Sequence, residues 1–336
     1  MYQFQLGNIG KDLKSTPRLE MATDRRPLSR SKGIGIAPIA LCIALLGIAS
    51  ASILIAIASA ELQPNSITCD RLLIAAIAFS TWNVFQTFNN NCKSTVSSPY
   101  TFRAIALLLV AGISFAISLS LWAWSLTQTS IANSTLLNNM MPIFTTLGGW
   151  LIFRQKFSPR FLIGMAVAIL GAVAIGIEDL QVADSGLIGD GAALIAAMFS
   201  AISILTIEQL RVQFSTAIVM QWTSLAGGLF LLPIVLVGGG QLLPTSNSSW
   251  LAIIGLGLIS QAVGQGLLTY SFAKFSSGFV AVSMLAIPVI AAVLAMLMFA
   301  EQLSLFNWLA FAVVLCGIYL AISAKDSSRE ISKIEA

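Results

Sequence analysis

Between Asn133 and Trp150 the chain reads NSTLLNNMMPIFTTLGGW, which puts three asparagines, four Ser/Thr and a proline inside one apolar stretch. Carboxamides and hydroxyls both donate and accept hydrogen bonds without carrying charge. Their chemistry is recognition of a polar solute, not proton transfer. Successive helical residues turn by about 100°, so Asn133, Ser134, Thr135, Asn138, Asn139, Pro142, Thr145 and Thr146 fall within an arc of roughly 140°. Leu136, Leu137, Met140, Ile143, Phe144 and Leu147 take the opposite side. Pro142 removes the amide that would bond the Asn138 carbonyl. Irregular backbone at membrane depth is tolerated only against protein or along a water-filled cavity, which makes the arc a candidate cavity wall. The competing reading is glue between helices, where such bonds average about 0.6 kcal/mol.

Gln261 and Gln265 form a second polar pair, four residues apart on one helical face. Gly264 and Gly266 beside them allow close packing, so interhelical contact and ligand contact stay equally open. Trp122, Trp124 and Tyr270 sit near helix ends, where aromatic rings anchor at the membrane interface. Trp124 and Tyr270 could also frame opposite gates. Trp82, Asn83 and Gln86 carry the same ambiguity. Arg71 is expected to pair with Asp70 or Glu61, or to attract an anionic group at an outer mouth. Glu208 and Arg211, three apart, read as a surface ion pair.

Other chemistries lack their residues. The chain has no histidine, which removes the usual haem ligand and the side chain best suited to proton shuttling near neutral pH. Cys42, Cys69, Cys92 and Cys316 each stand alone, without metal-site spacing. No HExxH, Ser–His arrangement or intramembrane carboxylate pair is present. The expectation is neither an enzyme nor a cofactor protein.

The elements that must position the polar groups follow from composition. Of 336 residues 57% are apolar and 10% charged, against about 25% charged in soluble domains. A helix needs roughly 20 apolar residues to cross the hydrocarbon, and ten stretches qualify: 34–57, 72–88, 104–126, 131–153, 161–177, 191–210, 217–237, 250–273, 278–299 and 305–323. A β-barrel would alternate with period two instead. With the N-terminus in the cytoplasm, every basic residue except Arg71 falls in an inner segment, as the positive-inside rule requires. The net charge of +4 then belongs to the inner leaflet and not to nucleic acid. Residues 1–33 read as a disordered cytoplasmic tail, with Met21 an alternative start, and 324–336 as a second cytoplasmic tail.

Pro142 and Pro288 lie 146 residues apart, and the same shift superposes Ser125 on Ser271, Phe153 on Phe299, Ser158 on Ser304 and Gly171 on Gly317. The halves, 34–177 and 191–323, read as copies joined by an acidic outer loop at 178–190. Five spans per copy means the second enters the membrane from the other side. Inverted repeats of this kind build a substrate site between them and rock about it.

Two five-helix halves, each with a Pro-containing helix, a short polar turn and a Gly-bearing last helix, resemble the drug/metabolite transporter superfamily, in particular its EamA-type members. The clearest stretches are SSGFVAVSMLAIPVIAAVLAMLMFAEQLS (276–304) and TSIANSTLLNNMMPIFTTLGGWLIFRQKFS (129–158). Gln155 departs from the Glu usual in the family turn, which Glu301 keeps; Arg71-Leu72 resembles the Arg-Phe that often opens helix two. The resemblance implies an all-α membrane protein of ten transmembrane helices in two inverted repeats, and export more often than uptake.

The expected function is alternating-access transport of a small neutral, zwitterionic or weakly cationic solute. The site is assigned to Ser134, Thr135, Asn138, Asn139, Pro142, Gln261, Gln265, Met284 and Pro288, with Arg71, Trp124 and Tyr270 at a gate or vestibule. The arc equivalent to that around Pro142 is apolar around Pro288 (Val280, Ala281, Met284, Leu285, Ala291, Ala292), so one wall is polar and the other greasy. No charge falls in the middle third of any span, which disfavours phosphorylated cargo and a buried proton relay. Expected partners are the small molecule and the bilayer of the plasma or inner membrane, with monomer and homodimer both open. A scaffold or receptor that does not transport is the competing reading.

Overall fold

Serine and threonine start many of the helices. Thr101, Ser215, Ser246, Ser276 and Ser304 sit in extended backbone, and each accepts the amide three residues on at 3.1–3.4 Å, satisfying one of the amides a helix start leaves unpaired. The computed structural model describes residues 36–89, 100–129, 131–177, 186–299 and 304–323, without the side chains of 131–133, 175–177, 295 and 299. Both tails, the linker segment 178–185, Glu301 and the Asn133 side chain therefore lie outside the described residues.

Among those residues no strand forms. The helices are α1 (Ile36–Ala49), α2 (Ala51–Ala58), α3 (Pro64–Asn89), α4 (Phe102–Ser125), α5 (Ile131–Asn138), α6 (Met141–Phe153) and α7 (Pro159–Ile177). They continue as α8 (Leu187–Gln213), α9 (Thr216–Val237), α10 (Asn247–Gly255), a π-helical segment (Leu256–Gln265), α11 (Gly266–Ser271), α12 (Ser277–Ser283), α13 (Ala286–Phe299) and α14 (Leu305–Ile322). Among the described residues eight continuous or gently broken helices are long and apolar enough to cross a membrane, and the apolar part of α7 is shorter. The protein is a multi-pass membrane protein. Leu170, Leu297 and Tyr319 are among many large side chains left exposed, as a lipid solvent permits.

α3 is long enough to span, but its first turns carry Asn65, Ser66, Thr68, Asp70 and Arg71. It begins at Pro64, eight residues before the apolar stretch that starts at Leu72, because proline is pre-set for a first helical turn and has no amide to waste there. Arg71 consequently lies inside a helix and not at its mouth.

Small residues set which helices touch. α7 crosses α14 on Gly164, Gly171 and Gly317, where an added Cβ would meet backbone atoms of the facing helix at 2.3–2.8 Å. α3 lies against α9 at Gly227 and Gly228, with the Cys69 thiol on the Gly228 carbonyl at 3.5 Å. α4 is joined to α8 by Ser118 Oγ on the Ala196 carbonyl (2.8 Å) and Ser203 Oγ on the Ala111 carbonyl (2.9 Å). α1 packs on the π segment where Gly47 faces Gly264, and α6 packs on α12. Such close backbone approach is how helices associate when lipid offers no hydrophobic drive between them. The main apolar cluster gathers Leu45, Met141, Phe161, Phe272, Val280 and Val314.

Candidate functional site

The polar arc is interrupted where Pro142 demands it. α5 ends at Asn138 and α6 opens at Met141 with Pro142 in its first turn. The second proline behaves alike: α12 ends at Ser283, Met284 caps it, and α13 opens at Ala286 ahead of Pro288. A proline nitrogen cannot donate to the carbonyl four residues back, so each span is rebuilt as two helices.

The arc's hydroxyls are mostly occupied within the protein. Ser134 is buried and its hydroxyl meets that of Ser125. Thr145 returns its proton to the Met141 carbonyl at 3.0 Å, and Thr146 lies 3.3 Å from the Met165 sulfur. These three act between or within helices. Thr135, Asn138 and Asn139 are half-buried, and the Asn138 Oδ1 is shielded from solvent with no hydrogen-bond partner among the described residues. Met140 and Met284, one from each break, pack on the main apolar cluster, while Pro142 is buried and Pro288 half-buried.

Gln261 and Gln265 sit together, on the π segment. Gln261 is 2% exposed. Both line a cavity of about 20 Å³ with Phe115, Ser203, Thr223 and Ser224, roughly the space one water occupies. The arc residues do not line it. Gly257 permits this geometry, because a Cβ there would strike Ile74 at 2.4 Å.

Arg71 departs most from expectation. It is 5% exposed, and its Nη2 donates to Gln261 Oε1 at 2.7 Å, while Nε has no partner. Among the described residues neither Asp70 nor Glu61 pairs with it: Asp70 Oδ2 is buried without a partner, and Glu61 accepts from Thr245 and Ser246 across the surface. The Glu61 carboxyl is held down to about 2 by the Ser246 side chain and then by the backbone amides of Thr245 and Ser246. Glu208 and Arg211 are likewise not a surface pair. Glu208 is 1% exposed and accepts from Gln155 Nε2 at 3.3 and 3.4 Å, whereas Arg211 donates to the carbonyls of Phe214 and Thr269.

Trp124 is 45% exposed and Tyr270 half-buried, consistent with interface anchoring. Sequence reading missed the depth of the Gln155–Glu208 contact, the cavity role of Ser203 and Ser224, and a recess of about 310 Å³ beside Ser80, Asn83, Thr87 and Gln221. There Asn83 Nδ2 donates to Gln221 Oε1 at 2.6 Å, tying α3 to α9. The Asn83 amide near the end of its helix was the available signal.

Residues 35–177 and 187–323 match the EamA-like transporter family. Two Helicobacter pylori proteins, from strains J99 / ATCC 700824 and ATCC 700392 / 26695, each named an uncharacterized transporter, are 25% identical over 186 residues. The match spans 54% of this chain and 60% of each relative's length. A crystal structure of a protein 15% identical in sequence superposes with a TM-score of 0.72 over 85% of this chain and 97% of its own, a likeness of fold alone.

Proposed function

The chain belongs to the EamA-like transporter family; from that premise we propose that it is a membrane transporter, a secondary carrier working by alternating access. Its cargo is a small neutral, zwitterionic or weakly cationic metabolite or drug, and its direction is export. It comprises ten spans in two inverted five-span repeats, 34–177 and 191–323, with both termini in the cytoplasm and the plasma or inner membrane as its location.

One observation carries the repeat. Counting α1–α2, α5–α6, α10–α11 and α12–α13 as single spans, the helix pairs in contact include α7 with α14, α3 with α9, α6 with α12, α4 with α8, and α1 with the π segment. Advancing every span by five returns the same set of pairs: the first three map onto themselves and the last two exchange. A bundle built from two oppositely inserted copies has this symmetry. Its halves can rock about a shared centre.

The solute is met on one side by Asn138 and Asn139, with Thr135, and on the other by Gln261 and Gln265, with Met284 and Pro288 supplying apolar surface. On this reading the cavity of about 20 Å³ beside the glutamines must widen to admit a solute. Purified protein in liposomes tests the reading. Substrate-dependent counterflow across a metabolite panel is expected; its absence across the whole panel leaves the scaffold reading in its place.

A further inference from the structure

A guanidinium at this depth is costly unless something compensates it. Among the described residues Arg71 has only a neutral amide as hydrogen-bond partner. Its placement is over-determined: α3 is held on one side by Gly227 and Gly228 of α9 and on the other by Gly257 of the π segment, where an added Cβ would also reach the Arg71 carbonyl at 3.4 Å. These contacts point Nη2 at Gln261, a residue of the cavity wall. The Nε corner beside it is unpartnered, and the hydroxyls of Ser224 and Ser260, 1% and 0% exposed, are unpartnered as well. Ser224 lines the same cavity and Ser260 adjoins Gln261 in the chain. Among the described residues a cation with an unpartnered Nε and one unpartnered cavity hydroxyl, that of Ser224, therefore accompany the cavity's glutamine.

We propose that Arg71 and Gln261 form the head-group subsite for a carboxylate-bearing substrate, whose oxygens take the Nε–Nη2 edge of Arg71 and the hydroxyl of Ser224 when the cavity opens. This rests on the transporter reading above, narrows its solutes to zwitterions and adds monocarboxylates to them. A guanidinium edge matches a carboxylate with two parallel hydrogen bonds. A dianion is disfavoured because Arg71, behind Gln261, supplies one positive charge and the groups lining the cavity are uncharged. Gln261 then works as a placeholder, holding one corner of the edge until the substrate oxygen displaces it.

The test uses the full chain in detergent, with thermal shift and equilibrium binding as readouts. The probes are amino acids and short monocarboxylates, each beside its own carboxamide, together with inorganic phosphate. At least one carboxylate is expected to bind tenfold or more tighter than its amide. Gln261→Glu places a carboxylate on Arg71 from within, so it should keep or raise the melting temperature while erasing that preference. Arg71→Lys should retain part of it. If no carboxylate binds, if acids and amides bind alike, if phosphate binds best, or if Gln261→Glu keeps the wild-type preference, the subsite is refuted. Counterflow separates the two readings: carriage of amides or cations without a carboxylate preference removes the subsite and leaves the carrier. Carboxylate binding lost in Gln261→Glu, without counterflow of any probe, supports the subsite and removes the carrier.

Discussion

Gly164 and Gly317 face each other across the crossing of α7 and α14 so closely that a Cβ on Gly164 would stand 2.8 Å from the Gly317 carbonyl oxygen, and one on Gly317 would stand 2.3 Å from the Ala168 amide nitrogen. Backbone cannot yield as a side-chain tip can. Gly317→Ala is expected to force the helices apart and to lower stability by about 1–3 kcal/mol, the usual range for overpacking. Thermal unfolding of purified protein measures it; an unchanged melting temperature would mean the helices do not cross there.

Asn138 has a shielded Oδ1 with no partner, so its removal forfeits little protein–protein hydrogen bonding. Asn138→Ala with Asn139→Ala is expected to abolish counterflow while expression and melting temperature barely move. Gross instability, with normal transport by the fraction that folds, would assign these amides to packing.

These two predictions differ in how much of their basis is legible in the primary structure. Among the described residues, eight helices long and apolar enough to cross follow from apolar run length, and both proline breaks fall where the missing amide requires them. The start of α3 is hidden, because Asn65, Ser66 and Thr68 look like loop residues until Pro64 is seen to open a helix. Arg71 is hidden for a related reason: its partner Gln261 lies 190 positions away, and a long side chain carries its charge deeper than its Cα. Ser134 looked like a solute ligand by angle alone, but the chain turns back at Ser125 to meet it. Glu208 and Arg211 have the spacing of an ion pair, yet tertiary contacts take each elsewhere.

The Asn83–Gln221 hydrogen bond ties α3 to α9 beside the 310 Å³ recess. If rocking separates these helices at that end, cysteines at both positions should cross-link on mild oxidation, in a background where the native cysteines are serine. Counterflow should then stop and return on reduction. Undiminished transport by the cross-linked protein would show that α3 and α9 move as one body there.

Glu61 links the turn before α3 to the turn before α10 through Thr245 and Ser246. Its carboxyl titrates at about 2 in the folded protein, below the ordinary 4.5. A depressed value means the anion is the form the fold prefers, so the link is complete above about 4.5 and is lost as pH falls toward 2. Amide exchange at Thr245 and Ser246, corrected for intrinsic rates, should accelerate over that window and not above it. Glu61→Gln should show faster exchange already at neutral pH.

In the π segment each amide is paired with the carbonyl five residues back instead of four. Exchanging one pattern for the other leaves the number of bonds essentially unchanged but swivels every side chain below the switch about the helix axis. Leu256–Gln265 is the only such stretch among the described residues, and it carries both Gln261 and Gln265. The directions in which Gln261 and Gln265 face the cavity are therefore set by the backbone pairing of this one stretch as well as by their own rotamers.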